Sequence, residues 1–191
     1  MTSPRPTDRT TAPALWLVVI DLQRAFTDPA SGWYADGSAA AAAVVARLVE
    51  QHPGRTVLTR FVRDPDERGA WADYYDVWPQ FRVPAADPVW DLSVQVPPGA
   101  PVVDEPTFGK WGPALEAVVG EADLVVCGLA TECCVLATAL AAADAGRRVT
   151  VVADACAGGT EAGHRAALDL LAANAPLITV VTSAELAARA S

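Results

Sequence analysis

Short runs of apolar and β-branched residues recur along the chain and predict buried strands. Each run contains few polar residues, which is typical of strands covered on both faces, as in a parallel sheet. Each run is also short enough to be a strand rather than a buried helix. The runs are Leu15–Ile20, Thr56–Phe61, Pro101–Val103, Leu124–Cys127, Val149–Val152 and Leu177–Val181.

Alanine- and leucine-rich segments of helical length lie between several of these runs. Because strands and helices alternate, the pattern predicts an α/β fold: a three-layer, Rossmann-like, six-stranded parallel sheet with helices on both faces. The turn after the first strand is not glycine-rich, so a dinucleotide-binding site is not expected. The predicted helices are Ser38–Gln51, Pro113–Val119, Cys134–Ala145, Thr160–Ala173 and Ser183–Ala190.

Two regions fall outside this alternation. Residues 1–13 are rich in Thr, Pro and Arg without an apolar period, so we predict a disordered tail followed by a single domain over residues 14–191. Residues 63–98 are interrupted by prolines and predict a long excursion between strands. The aromatic side chains of this excursion either line a pocket or cover the sheet edge or a subunit interface.

The composition of the chain limits the kinds of partner that the protein is expected to bind. A formal net charge of -9 and a pI near 4.6 disfavour nucleic acid and anionic membrane surfaces. No apolar segment approaches the roughly 20 residues that span a bilayer, so no membrane partner is expected. The four cysteines form neither a disulfide framework nor a paired zinc motif, which indicates a reducing, cytoplasmic compartment and no structural metal.

In an open α/β sheet, ligands bind beyond the carboxyl ends of the strands. Asp21 ends the first strand, Asp104 and Glu105 end the third, and a small-residue turn leads from the fourth strand to Cys133 and Cys134. A thiol at a helix start lies near the positive dipole end, which we expect to favour the thiolate. Backbone N–H groups of the same turn could bind an oxyanion.

These residues also have simpler interpretations. A cysteine at a helix start is often packing, and Cys127 and Cys156 are interpreted in that way. Asp21 could cap a loop rather than act as a base, and His164 is typical of a satisfied histidine on a helix surface. Cys134 with Asp21 is the pair that predicts chemistry, because a strand-end carboxylate could take the thiol proton.

The segments Asp-Leu-Gln-Arg-Ala-Phe at residues 21–26, Gly-Leu-Ala-Thr-Glu-Cys-Cys-Val at 128–135 and the run 149–154 resemble the isochorismatase-like cysteine hydrolases in order and spacing. That family includes nicotinamidases and N-carbamoylsarcosine amidohydrolases, with a catalytic Asp, Lys and Cys. The resemblance implies Asp21 as base and Cys134 as nucleophile. It also implies a cis peptide at Leu129–Ala130, an oxyanion hole from the amides of Ala130 and Cys134, and a dimer or tetramer.

The position of the catalytic lysine in this sequence differs from the family pattern. The usual lysine position falls on Glu105, and Lys110 lies five residues further along. Either Lys110 enters the site as the catalytic cation, or Glu105 takes the lysine's place and disfavours a thiolate. The first alternative predicts hydrolysis of a small amide-like C–N bond through a thioester on Cys134. The second predicts an inactive homologue that binds a ligand or partner.

No cofactor is expected. The nicotinamidases of the family hold a metal through an Asp and histidines after the second strand, whereas residues 63–67 here contain no histidine, so neither that metal nor nicotinamide is expected. The predicted partner is a small-molecule substrate. The substrate-binding candidates are Gln23, Phe26, Trp71, Tyr74, Tyr75, Trp78 and Phe108.

Overall fold

The computed structural model describes residues 15–190, so the predicted tail over residues 1–13 lies outside the described residues. The strands are β1 (Leu15–Ile20), β2 (Thr56–Phe61), β3 (Val102–Glu105), β4 (Asp123–Leu129), β5 (Val149–Ala157) and β6 (Ile178–Val181). They form one six-stranded sheet in the order β3-β2-β1-β4-β5-β6. All five neighbouring pairs are parallel, which confirms the predicted α/β sheet.

Seven α-helices accompany the described sheet. They are α1 (Arg24–Thr27), α2 (Ser38–Gln51), α3 (Ala70–Val77), α4 (Pro113–Val119), α5 (Leu136–Asp144), α6 (Glu161–Ala172) and α7 (Ser183–Ala190). The helices α1 and α3 were not predicted: α1 has only four residues, and α3 lies within the proline-interrupted residues 63–98. In the described part of the chain, no helix has the length and apolar character that a membrane crossing requires.

The predicted helix from Cys134 begins differently in the structure. Residues 131–135 form a wide π-helical turn, and α5 follows only from Leu136. The amide of Val135 donates to the carbonyl of Ala130 at 3.2 Å, which closes this turn. Such turns are rare and occur often at functional sites, so the position of this one after β4 is informative.

The centre of the sheet is the most buried part of the molecule. Residues 17–20 of β1 and 124–127 of β4 are fully buried. Burial on both faces explains why these strands are continuous apolar runs rather than alternating ones. The two strands carry the predicted chemistry at their carboxyl ends.

Close contact between β1 and β4 depends on a glycine. Gly128 pairs with Ile20 across the two strands and has a φ of +117°. A Cβ atom at Gly128 would collide with the backbone of Ile20. Only glycine accommodates both the positive φ and this approach. The next residue after Ile20 is Asp21, so the glycine sets how near Asp21 comes to the end of β4.

Candidate active site

Asp21 is fully buried directly after β1. It has a φ of +44°, a left-handed conformation that aspartate tolerates better than most residues. The hydroxyl of Thr59 donates to Oδ1 at 2.6 Å and accepts the Asp21 amide at 3.2 Å. Thr59 lies within β2, so the neighbouring strand fixes the orientation of the carboxylate. Sequence analysis did not identify Thr59, because a threonine within a strand run gives no functional signal.

Lys110 lies beside this carboxylate. Its side chain is fully buried, and Nζ is 3.0 Å from Oδ2 of Asp21. The ammonium also donates to the carbonyl of Thr107 at 2.5 Å and lies 4.7 Å from the ring centre of Phe61. Removing either partner of a buried ion pair leaves an uncompensated charge, so the two side chains depend on each other.

Glu105 occupies a different place. It ends β3 in register with Phe61, its side chain is only partly buried, and it forms no ion pair within residues 15–190. Its backbone carbonyl lies 3.5 Å from Nζ of Lys110. Of the two residues considered from the sequence, Lys110 is therefore the one that lies beside Asp21.

Cys134 lies in the π-helical turn and is 2% exposed. Burial raises the pKa of its thiol well above the ordinary value, and the nearby Asp21 carboxylate raises the pKa further, while Lys110 opposes these effects. Burial and Asp21 thus act against the thiolate that the sequence analysis expected the helix dipole to favour. The thiol lies in the second half of the π-helical turn, where removal from water disfavours the charged form.

One hydroxyl connects the cysteine to the lysine. Oγ1 of Thr138 donates to the carbonyl of Cys134 at 2.6 Å and accepts the amide of Lys110 at 2.9 Å. Lys110 belongs to a segment without regular secondary structure, so this hydrogen bond fixes its backbone against α5. The lysine is held near the site although it lies five residues beyond β3.

A cavity of about 220 Å³ opens in front of Cys134. Three predicted substrate-binding residues line it, namely Phe26, Tyr74 and Phe108, together with Ala130 and Cys134 of the predicted oxyanion hole. The peptide bond Leu129–Ala130 is cis. Lining residues that sequence analysis missed are Gly32, Trp33, Tyr34, Glu132, Cys133 and Gly159.

Gln23 does not line the cavity. Its fully buried amide donates to the carbonyls of Phe61 and Trp90 at 3.1 and 2.7 Å, and its Oε1 accepts the amide of Phe61. These bonds use both ends of the amide. Gln23 therefore joins β2 to the excursion, and it is not among the residues that line the cavity.

Three further candidates also lie away from the cavity. Trp71 and Tyr75 border a separate cleft beside Glu67, and Trp78 packs against Trp33 with ring centres 6.3 Å apart. Of the two interpretations left open by the sequence, pocket lining is supported for Tyr74, whereas cover of the sheet edge or of a subunit interface stays a prediction. Tyr74 of α3 lines the cavity, while its aromatic neighbours pack around the rings that form the cavity wall.

Trp33 is the centre of that packing. Its ring stacks on Phe81 with centres 3.6 Å apart and on Phe26 at 5.8 Å. The pair Trp33-Tyr34, a few residues after the first motif, was an available signal for a pocket wall. The sequence analysis did not include this pair among the candidates, because Trp33 and Tyr34 lie in a connecting segment that belongs to none of the motifs.

The remaining candidate groups have structural partners. Cys127 and Cys156 are buried, and burial raises the pKa of the Cys156 thiol to about 12, so both are packing residues. His164 is half-buried, and its Nδ1 lies 2.8 Å from the hydroxyl of Thr131. Residues 15–190 bring together no group of three His, Cys, Asp or Glu side chains able to hold a metal ion.

Comparisons with known proteins identify the family. Residues 15–185 match the sequence model described as the Isochorismatase domain. The chain belongs to this family. As an isochorismatase-family protein it is a hydrolase, and the resemblance based on the first and fourth strand ends is confirmed. No curated protein matches the chain significantly.

Solved structures share the fold. A cysteine hydrolase from Pseudomonas syringae pv. phaseolicola 1448A has a TM-score of 0.80 and 20% identity, covering 99% of this chain and 98% of that one. A putative isochorismatase hydrolase from Oleispira antarctica has a TM-score of 0.74 and 25% identity, covering 94% and 98%. A nicotinamidase/pyrazinamidase from Bacillus subtilis has a TM-score of 0.71 and 19% identity, covering 88% and 99%.

Proposed function

We propose that this isochorismatase-family hydrolase cleaves a small amide-like C–N bond through a thioester on Cys134. The observation that supports the proposal is the buried Asp21–Lys110 ion pair beside a thiol that borders a small cavity. A thiol with a raised pKa needs a base at the moment of attack. We assign this role to Asp21, whose carboxylate is close enough to raise the pKa of the thiol.

In the first half-reaction, Asp21 takes the thiol proton as the sulfur of Cys134 forms a bond to the carbonyl carbon. The amides of Ala130 and Cys134 stabilise the oxyanion that develops on the carbonyl oxygen. The C–N bond then breaks, and Asp21 delivers its proton to the departing nitrogen. An amine or ammonia leaves, and a thioester remains on Cys134.

In the second half-reaction, Asp21 takes a proton from water as the water oxygen bonds to the thioester carbon. The C–S bond breaks, the carboxylic acid product leaves, and the proton returns to the sulfur. Lys110 forms a buried ion pair with Asp21. In this role it orients the base and limits the cost of a buried negative charge.

The alternative of an inactive binding protein was motivated by Glu105. The contact between Lys110 and Asp21 supports catalysis over that alternative, because a cation accompanies the acid without Glu105. Glu105→Lys separates the two ideas. An inactive homologue should gain activity from this substitution, whereas a catalyst that uses Lys110 should show at most a small change.

The direct test is a panel of small primary amides followed by release of ammonia. A substrate that turns over should leave an acyl adduct on Cys134 in rapidly quenched samples, detected by intact-mass and peptide mass spectrometry. Cys134→Ala should lower kcat at least about a thousandfold. Cys133→Ala is the matched control at the neighbouring thiol, and activity that persists in Cys134→Ala would contradict the proposal.

A further inference from the structure

The cavity wall is aromatic and contains no basic side chain among the described residues. Five aromatic residues line it, and the single acidic residue in its wall is Glu132. The nearest described cation to the nucleophile, Lys110, is fully buried and already pairs with Asp21. A carboxylate on the substrate would therefore meet no free counter-charge in this cavity.

The aromatic rings lie close to one another. Ring centres are 5.8 Å apart for Phe26 and Trp33, 5.8 Å for Trp33 and Tyr74, and 5.8 Å for Tyr74 and Phe108. Burial raises the pKa of the Tyr74 phenol far above its ordinary value, so this residue presents a neutral ring. Neutral aromatic faces attract cations, and several such faces together are the usual means of holding an alkylated ammonium group.

Glu132 adds a negative charge to this wall. Its Oε1 accepts the amide of Gly159 at 2.7 Å, whereas its Oε2 is buried and has no hydrogen-bond partner among residues 15–190. A Cβ atom at Gly158 would collide with Oε2, so the glycine leaves the space that the carboxylate occupies. Oε2 is packed against Gly158, and the carboxyl group lies close to Gly163 in the first turn of α6, so Glu132 acts on the cavity through its negative charge rather than through a free oxygen.

The position of Glu132 relates this charge to the reaction. Glu132 and Cys134 belong to the same π-helical turn, and both line the cavity. A positive group beside Glu132 is therefore separated by only a short spacer from a carbonyl that Cys134 attacks.

We infer that the substrate is an amide whose acyl part carries a cationic nitrogen, held between the aromatic wall and Glu132. This inference rests on the proposed function and specifies its substrate class. Neutral amides of the same shape bind less well because they lack the attraction to the rings and to the carboxylate. Anionic amides bind most weakly because the charge of Glu132 repels them.

A set of three small amides that differ in charge tests the inference. Trimethylammonioacetamide is cationic, 3,3-dimethylbutanamide has the same shape without charge, and succinamate is anionic. Binding is measured by tryptophan fluorescence and calorimetry with Cys134→Ala, so the preference is obtained without turnover. The cationic amide should bind about tenfold or more tightly than the neutral one, and the anionic amide should bind most weakly.

The binding assay keeps two kinds of failure apart. Equal or tighter binding of the neutral amide, or absence of binding by all three, overturns the inference while leaving the thioester chemistry to be judged on other amides. A clear cationic preference without turnover by the wild-type protein supports the inference about the cavity and counts against the proposed hydrolysis.

Glu132→Gln tests the role of the carboxylate. The substitution should reduce the cationic-to-neutral ratio of binding constants by about fivefold to tenfold, while Asp169→Asn, which removes one exposed charge from α6, should leave the ratio unchanged. A residue that only holds Gly159 in place would instead weaken both amides equally and lower the melting temperature. That result would overturn the inference.

Discussion

The two halves of the cavity are built in different ways. Asp21 and the turn containing Cys134 follow directly from β1 and β4, the two most buried strands of the sheet. The opposite wall and the lysine come from residues 26–34, Tyr74 and residues 106–112, which lie in short helices, turns and irregular segments. The sheet fixes the positions of Asp21 and Cys134, because both follow central strands. The position of the aromatic cavity wall depends instead on packing between side chains.

Lys110 is the clearest test of this difference. It lies in an irregular segment, but it pairs with Asp21 at the end of a central strand. Lys110→Met removes the counter-charge of a buried carboxylate, so kcat should fall at least about a hundredfold. Arg60→Met is the matched control, since Arg60 pairs with Asp104 nearer the protein surface and should lose little. Steady-state kinetics with the best amide of the panel, alongside thermal melting, provides the measurement. Equal effects of the two substitutions would refute a special role for Lys110.

Adjacent tyrosines of α3 separate the lining of the wall from its packing. Tyr74 borders the cavity, so Tyr74→Leu should raise KM about tenfold with a smaller change in stability. Tyr75 is 2% exposed and borders no part of that cavity. Tyr75→Leu should mainly lower the free energy of unfolding, by about 2 to 3 kcal/mol. Identical effects on KM would show that the wall does not divide in this way.

The hydroxyl of Thr138 connects the two halves. Thr138→Val keeps the shape but removes both hydrogen bonds, so kcat should fall about tenfold while KM changes little. Thr138→Ser should restore most of the activity, because the serine hydroxyl can make the same two bonds. Loss of stability without a separate fall in kcat, or failure of the serine to restore activity, would indicate a purely structural role.

The smallest effect concerns the reactivity of the free thiol. Because burial raises the pKa of Cys134, less thiolate is present at any given pH than in an ordinary cysteine, whose pKa is about 8.5. Alkylation of Cys134 by iodoacetamide should therefore be slower at pH 7 than alkylation of a free cysteine, and should still be rising at pH 9. Peptide mass spectrometry gives the rate for each cysteine. A plateau below pH 8 would contradict the direction of the shift.

Much of the fold followed from the apolar pattern. β1 and β2 have the bounds that the sequence predicted, because a strand buried on both faces leaves a continuous apolar run. The helices α2 and α4 also have their predicted bounds. The end of β5 at Ala157 extends beyond its predicted bound at Val152, since Cys156 and Ala157 pair with β4 after a shift in register. Pairing of this kind depends on the neighbouring strand rather than on local residue type.

The site was predictable where a motif lies at a strand end. Asp21 and Cys134 were identified in that way. The choice between Lys110 and Glu105 stayed open, and two other features were not predicted: the lining by Trp33 and Glu132, and the raised pKa of Cys134. Each depends on contacts between residues distant in sequence, such as the bond from Thr138 to Lys110 or the desolvation of a turn by the surrounding sheet. Local patterns do not contain this information.

Gly128 has a consequence for how such a site can be lost. A methyl group there would push the first strand away from the fourth, and the acid and the sulfur would separate although every reacting group was still present. The separation of Asp21 and Cys134 thus depends on Gly128, a residue that has no side chain and takes no part in the proposed reaction. A chain that kept the acid, the lysine and the thiol but exchanged this one residue would retain the signature of a catalyst without its geometry.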